Sequence, residues 1–149
     1  MIKKVTDKAS LTELWEEAFG DTESEINFFL KNADYDCFGC YKSGMLVSML
    51  FVLDCKLDNR AFKYIYAACT REEFRCIGLM TKLIDYCKQQ YSSICLIPAN
   101  DKLVNYYKER GFVFEYPVDK LSFSQKSEIC EWLYEGYELT EPVVLYFKR

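Results

Sequence analysis

The spacing of turn signals between apolar runs constrains this chain more than any other feature. Cys37 to Tyr41 and Met45 to Leu53 are strand-like runs parted only by Lys42-Ser43-Gly44, and Asp58-Asn59 precedes a third run, Ala61 to Thr70. Connections this short join antiparallel neighbours. The next connections are helical. Ile77 to Gln90 carries Leu79, Leu83, Tyr86 and Cys87 on one helical face, and it leads into the short apolar run Ser93 to Ile97. A further helix, capped by Asp101 and running to Arg110, ends at Gly111 and gives way to a strand at Phe112 to Tyr116. Strand–helix–strand units demand right-handed crossovers and parallel pairing. Hairpins followed by crossovers therefore predict one mixed sheet.

The flanks extend this pattern. Ile2 to Val5 reads as a short first strand. Leu11, Leu14, Trp15, Ala18 and Phe19 follow helical spacing with Gly20 as the stop. Thr22, with Glu25 three residues on, has the form of a capping box ahead of Ile26, Phe29, Leu30 and Ala33. Near the other end, Ser127 to Glu135 places Ile129, Trp132 and Leu133 on one face, and Gly136 stops it. Pro142 then precedes a closing strand, Val143 to Phe147. The expectation is one domain over 1–149 of the α/β (α+β mixed) class: a mixed, partly parallel twisted sheet flanked by helices, with an extra helix before the closing strand.

Composition removes several chemistries. The chain has no histidine, which excludes a His base and the commonest zinc ligand. Its eight cysteines sit mostly among apolar residues and read as small core hydrophobes. Cys37-Phe38-Gly39-Cys40 is a Cys-x-x-Cys pair, but it falls in a strand and has no second pair at zinc-ribbon spacing. No metal is expected. A formal net charge of −4 and no dense Lys/Arg cluster argue against nucleic acid as a partner. No apolar run is long enough to span a membrane, and Met1 to Asp7 lacks the apolar segment of a secretion signal, so a cytoplasmic location is expected.

The most informative segment is Ala67-Ala68-Cys69-Thr70-Arg71-Glu72-Glu73-Phe74-Arg75-Cys76-Ile77-Gly78-Leu79-Met80-Thr81. A strand feeds a polar loop, and the loop feeds a helix. The first turn of a helix has backbone N–H groups without internal partners, and these attract anions. Gly78 would let a phosphate approach, and Thr81 adds a hydroxyl. The element order and this segment resemble the GNAT N-acetyltransferase superfamily. The family pattern Arg/Gln-x-x-Gly-x-Gly/Ala meets Arg75-Cys76-Ile77-Gly78-Leu79-Met80 here. Met80 replaces the small last residue, and Cys76 stands where glycine is frequent. A second family feature is an Asn seven residues before a Tyr, with Gly-Phe four residues after that Tyr. Asn100, Tyr107, Gly111 and Phe112 reproduce it.

The resemblance implies acetyl-CoA as co-substrate. Amides of Cys76, Ile77, Gly78, Leu79, Met80 and Thr81, with Arg75, would bind its pyrophosphate. The backbone of Ala68, Cys69 and Thr70 would pair with the pantetheine arm, and an N–H near Cys69 would face the acetyl carbonyl. Asn100 would touch the arm, and Tyr107 would donate a proton to the leaving thiolate. Cys69, beside the thioester, is also the candidate for an acyl-cysteine intermediate, although direct attack is the family norm. The activity implied is acetyl transfer to a primary amine, in a small molecule or peptide. The alternative is a binding or sensor module that holds acyl-CoA without turnover.

A base is harder to find. Keeping an alkylammonium neutral at pH 7 costs about 4.6 kcal/mol from its reference pKa. The run Ala61 to Thr70 contains no carboxylate, leaving Glu72, Glu73, Asp54 or a water held by Tyr64 or Tyr66. Glu13, Glu16, Glu17, Asp21, Glu23 and Glu25 gather near the first helical pair, which in the family borders the acceptor pocket. They read either as a solvated face or as attraction for a cationic amine. The extra helix at 127–135 is expected to reshape that pocket or to form a homodimer contact.

Overall fold

The computed structural model describes residues 1–139 and 141–149. Strand β1 (Ile2–Lys4) is followed by helices α1 (Lys8–Phe19) and α2 (Glu23–Asn32). Strands β2 (Asp36–Lys42), β3 (Met45–Leu57) and β4 (Arg60–Thr70) form the expected hairpins. Next come α3 (Leu79–Gln90), β5 (Ser93–Leu96), α4 (Asp101–Lys108) and β6 (Phe114–Pro117). The chain closes with β7 (Leu121–Ser122), α5 (Ser127–Leu133) and β8 (Val143–Lys148).

These strands belong to one sheet, ordered β1-β2-β3-β4-β5-β8-β6, with β7 added beside β3 where β2 has ended. Among the described residues only β4 and β5 pair in parallel. This corrects the expectation of parallel pairing on both sides of Ser93 to Ile97. Strand β8 lies between β5 and β6, antiparallel to both. The reason lies in composition. In β8, Val144 and Leu145 are fully buried and suit a central place. In β6, Phe114 is half exposed and Pro117 has no N–H to give, which suits an edge.

Alternating side chains divide the core between the two faces of the sheet. On one face Trp15, Ile26 and Phe29 from α1 and α2, with Ile129 and Leu133 from α5, pack on Phe51, Leu53 and Tyr64. On the other, Leu79, Leu83 and Cys87 from α3 and Tyr107 from α4 pack on Leu50, Ile65 and Leu96. Cys37 belongs to the first face and Cys40 to the second, so the two thiols of the Cys-x-x-Cys pair are kept apart by the sheet itself. Among the described residues, no cluster of His, Cys, Asp or Glu could hold a metal, and no helix is long and apolar enough to cross a membrane.

Local chemistry sets the helix ends. Gly20 stops α1 at φ 74°, and Thr22 forms the full capping box of α2 with Glu25. The cap of α4 is Asn100 rather than Asp101: its side-chain oxygen accepts from the Leu103 N–H at 3.0 Å. Helix α3 begins at Leu79 and not at Ile77, because Cys76 and Gly78 both take positive φ. Thr22→Ala removes the capping oxygen at the α1–α2 junction. It should lower unfolding free energy by about 1 kcal/mol in urea titrations, with an unchanged dependence on denaturant.

Candidate active site

The site begins with a bulge. In the β3–β4 ladder Met49 faces Cys69 but Phe51 faces Tyr66, so β4 carries one extra residue. Ala67 absorbs it with φ 53°, a left-handed value unusual for a residue with a Cβ. Strands β4 and β5 pair only at Lys63–Ile94 and Tyr64–Cys95. Beyond Tyr64, β4 continues to Thr70 while β5 stops at Leu96, and the facing edge of β4 is open.

Hydrogen-bond alternation decides which amides face that opening. The Arg71 N–H donates to the Val47 carbonyl at 2.7 Å, so Ser48 and Thr70 are a non-hydrogen-bonded pair. The next pair, Met49 and Cys69, then exchanges its N–H groups and carbonyls. Cys69 is thereby turned toward β3, and Ala68 and Thr70 are turned toward the opening. The Thr70 carbonyl is taken by the Arg75 Nε–H at 3.1 Å.

Arg71 fixes the start of the following loop. It is buried, donates from Nε to the Leu46 carbonyl at 2.8 Å, and pairs with Glu13 at 3.1 Å and Glu17 at 3.5 Å. After a 3₁₀ turn at Glu72–Phe74 the chain reaches Cys76 at φ 64° and Gly78 at φ 84°. A Cβ on Gly78 would meet nothing within 4 Å, so this glycine is needed for its φ and not to relieve a contact. The first helical bond runs from the Lys82 N–H to the Gly78 carbonyl. Among the described residues the amides of Leu79, Met80 and Thr81 therefore have no backbone partner. Arg110, which the sequence reading gave only a helix end, donates from Nε to the Thr81 hydroxyl at 2.9 Å and lies 3.5 Å over the Tyr106 ring. Its place just before Gly111-Phe112 was the available signal. Ile77 and Cys76 are exposed beside this helix start.

The opening between β4 and β5 is the middle of a cavity of about 480 Å³ that runs through the sheet. On the α3–α4 side it is lined by Ile65, Ala68, Leu96, Leu103 and Tyr107. On the α1–α2–α5 side it is lined by Trp15, Tyr64, Tyr66, Ala67, Ile97 and Trp132, with Phe19, Asp21, Glu25, Glu135, Gly136 and Tyr137 around them. Tyr107 is only 8% exposed, and among the described residues its hydroxyl has no protein partner. Burial, reinforced by Tyr106, pushes its phenol well above the ordinary range, so it is firmly protonated. Tyr106 does not line the cavity.

The remaining candidates separate clearly. Burial pushes the Cys69 thiol up to about 12, so it is a thiol at neutral pH and a poor nucleophile. Asn100 is exposed, with its oxygen spent on the α4 cap and, among the described residues, no partner for its NH₂. Asp54 is bound to Lys63 away from the cavity, and Glu72 and Glu73 are exposed outside it. Tyr64 and Tyr66 donate to the Leu133 and Trp132 carbonyls at 3.2 and 3.4 Å. The acidic residues near the first helices divide. Glu13 and Glu17 serve Arg71, while Asp21 and Glu25 line the cavity. Glu135, Trp15, Trp132 and Tyr137 are not legible as lining residues in the sequence, because only tertiary packing brings α5 and the residues after it to Trp15 of α1.

No protein-family model and no curated protein matches this sequence. Solved structures match through the fold. A GNAT family acetyltransferase from Elizabethkingia anophelis, solved with acetyl-CoA bound, has a TM-score of 0.64 at 11% identity, covering 100% of this chain and 97% of its own. An IAA acetyltransferase from Bacillus cereus has a TM-score of 0.64 at 14% identity, covering 100% and 99%. A glucosamine N-acetyltransferase region in a fungal multi-domain β-N-acetylglucosaminidase has a TM-score of 0.63 at 17% identity over 74% of this chain, which spans only 16% of that protein. Identities this low bear on architecture alone, and the architecture is plain: this chain has the GNAT acetyltransferase fold.

Two outcomes test the geometry. Ala67→Val puts a β-branched residue at a left-handed position and should lower unfolding free energy by about 2 kcal/mol in urea titrations. In the folded protein iodoacetamide should modify Cys76 well before Cys69, read by peptide mass spectrometry. Equal rates would contradict the buried, protonated state of Cys69.

Proposed function

We propose that the chain is an acetyl-CoA-dependent acyltransferase that moves an acetyl group to a primary amine by direct attack. One observation carries the reading. Strand β4 lines a cavity with Tyr64 to Ala68, beside the buried, protonated phenol of Tyr107, and a few residues further on leads into the loop that opens α3 with unpaired amides. The residues present fit the co-substrate. The amides of Leu79, Met80 and Thr81, with Arg75 and Arg110 nearby, suit a diphosphate. Ala68, with its N–H and carbonyl, and Thr70, with its N–H, offer a strand edge to an extended amide arm, and the NH₂ of Asn100 is available to the same arm.

Each side chain then has a defined task. An N–H of the β4 edge stabilises the charge that develops on the thioester oxygen as the amine nitrogen bonds to the acetyl carbon. The C–S bond breaks, and the electron pair leaves on the coenzyme sulfur. Tyr107 supplies a hydrogen bond to that thiolate. From reference values a full proton transfer is uphill by about 2 kcal/mol, and burial raises both groups, so donation of a hydrogen bond is the larger part of the role. The amine proton passes to solvent through the cavity mouth. The protonated state of Cys69 favours direct attack over an acyl-cysteine route.

Isothermal calorimetry with acetyl-CoA should give one site per chain, and CoA release should follow addition of a suitable amine. Tyr107→Phe should lower kcat by roughly 10²-fold with little change in the KM for acetyl-CoA. Heat without release for any amine would favour the binding-module reading. An unchanged kcat would remove Tyr107 from the chemistry.

A further inference from the structure

The two ends of the cavity differ in charge and polarity. The end at the strand opening is lined by Ile65, Ala68, Leu96 and the buried phenol Tyr107. The end under α1, α2 and α5 has aromatic walls, Trp15, Tyr66 and Trp132, and three carboxylates, Asp21, Glu25 and Glu135. Among the described residues, none that lines the cavity is Lys or Arg. The buried cation Arg71 is neutralised by Glu13 and Glu17. Asp21 is held in place by the Trp15 Nε1–H at 2.8 Å, which ties a carboxylate directly to an aromatic wall. The carboxylates belong to the Tyr66 end: the charges of Asp21 and Glu135 add to burial in raising the Tyr66 phenol, whereas Tyr107 feels Tyr106 and Arg110 instead.

A single amine satisfies this cavity poorly. The attacking nitrogen must be neutral, and the apolar end favours that form by withholding solvent. A neutral nitrogen offers no countercharge to these carboxylates, of which Asp21 accepts from Trp15, Glu25 caps α2 and Glu135 is exposed. A second, permanently charged ammonium resolves the conflict. It suits the carboxylates and the aromatic faces, and its charge lowers the pKa of the amine beside it. An acceptor with a carboxylate, such as a free amino acid, would meet only like charge.

We propose that the acceptor is a polycationic amine, a diamine or polyamine, whose distal ammonium is held between the rings of Tyr66 and Trp132 and the carboxylates Asp21, fixed by the buried Trp15, and Glu135, while its other amine, neutral, reaches the strand opening. This rests on the transfer reading above for its orientation, but the cation site is testable without it. Trp15 and Trp132 report occupancy by fluorescence in the absence of acetyl-CoA. Spermidine should quench that signal and bind about tenfold more tightly than butylamine, the size expected of one partly desolvated ion pair with a cation–π contact. Added sodium chloride should weaken spermidine binding more than butylamine binding. Glu135→Gln and, separately, Asp21→Asn should each narrow the spermidine-to-butylamine ratio. Equal affinity for the two amines, or a ratio untouched by both substitutions, overturns the proposal. Spermidine binding without CoA release would sink the transfer reading and leave the cation site standing. CoA release that favours a monoamine or an amino acid would do the reverse.

Discussion

An alanine in the left-handed conformation puts a bulge into the central strand β4, where that strand lines the cavity. Ala67 takes φ 53° because β4 has one residue more than β3 can match, and the surplus must be accommodated somewhere along the ladder. The cost is on the order of 1–2 kcal/mol. It is met by long, regular pairing on either side and by the aromatic packing of Tyr64 and Tyr66 against α5 and α1. The bulge lies just past the last β4–β5 pair, Tyr64–Cys95, where β5 is about to end at Leu96 and the edge of β4 is open.

The elements around the opening are arranged to keep it so. Arg71 ties the end of β4 to β3 through the Leu46 carbonyl and to α1 through Glu13 and Glu17. A buried guanidinium with several acceptors is costly to misplace, so the loop leading to α3 starts from a defined point. Positive φ at Cys76 and Gly78 then turns the chain so that α3 presents its first amides beside Arg110 and Thr81. On the opposite side of the sheet, α1, α2 and α5 converge on Trp15, which contacts Phe29, Phe51, Tyr66 and Trp132. The cavity is lined by residues of both layers, with the apolar α3–α4 side and the acidic, aromatic α1–α2–α5 side meeting at the sheet.

Much of this was legible in the order of residues, for reasons that are local. Gly20, the Thr22–Glu25 box and the Lys42-Ser43-Gly44 and Asp58-Asn59 turns act over a few residues, and each sits where its chemistry predicts. The Arg75-to-Thr81 segment pointed to a helix start, and Tyr107 rather than Tyr106 lines the cavity. The strand order around β8 was not legible, since an apolar run does not state which neighbours it will have. Asn100 and Asp101 are both cap-forming residue types, and only the hydrogen bond to Leu103 shows that Asn100 is the cap of α4. Asp54, Glu72 and Glu73 were reasonable bases by type and fall outside the cavity by position.

The sequence by itself determined the order of the main helices and strands, though not the short β7, together with the mixed character of the sheet and the absence of any histidine chemistry. These depend on turn residues, apolar period and composition, which act between near neighbours. Only the tertiary structure decided that Glu135 and Trp132 from the α5 region meet Asp21 and Trp15 from the first helices, that Cys69 turns toward β3, and that β8 separates β5 from β6. Contacts between residues far apart in the chain, as between Trp15 and Trp132, depend on how layers pack, and no periodicity in a single chain encodes that.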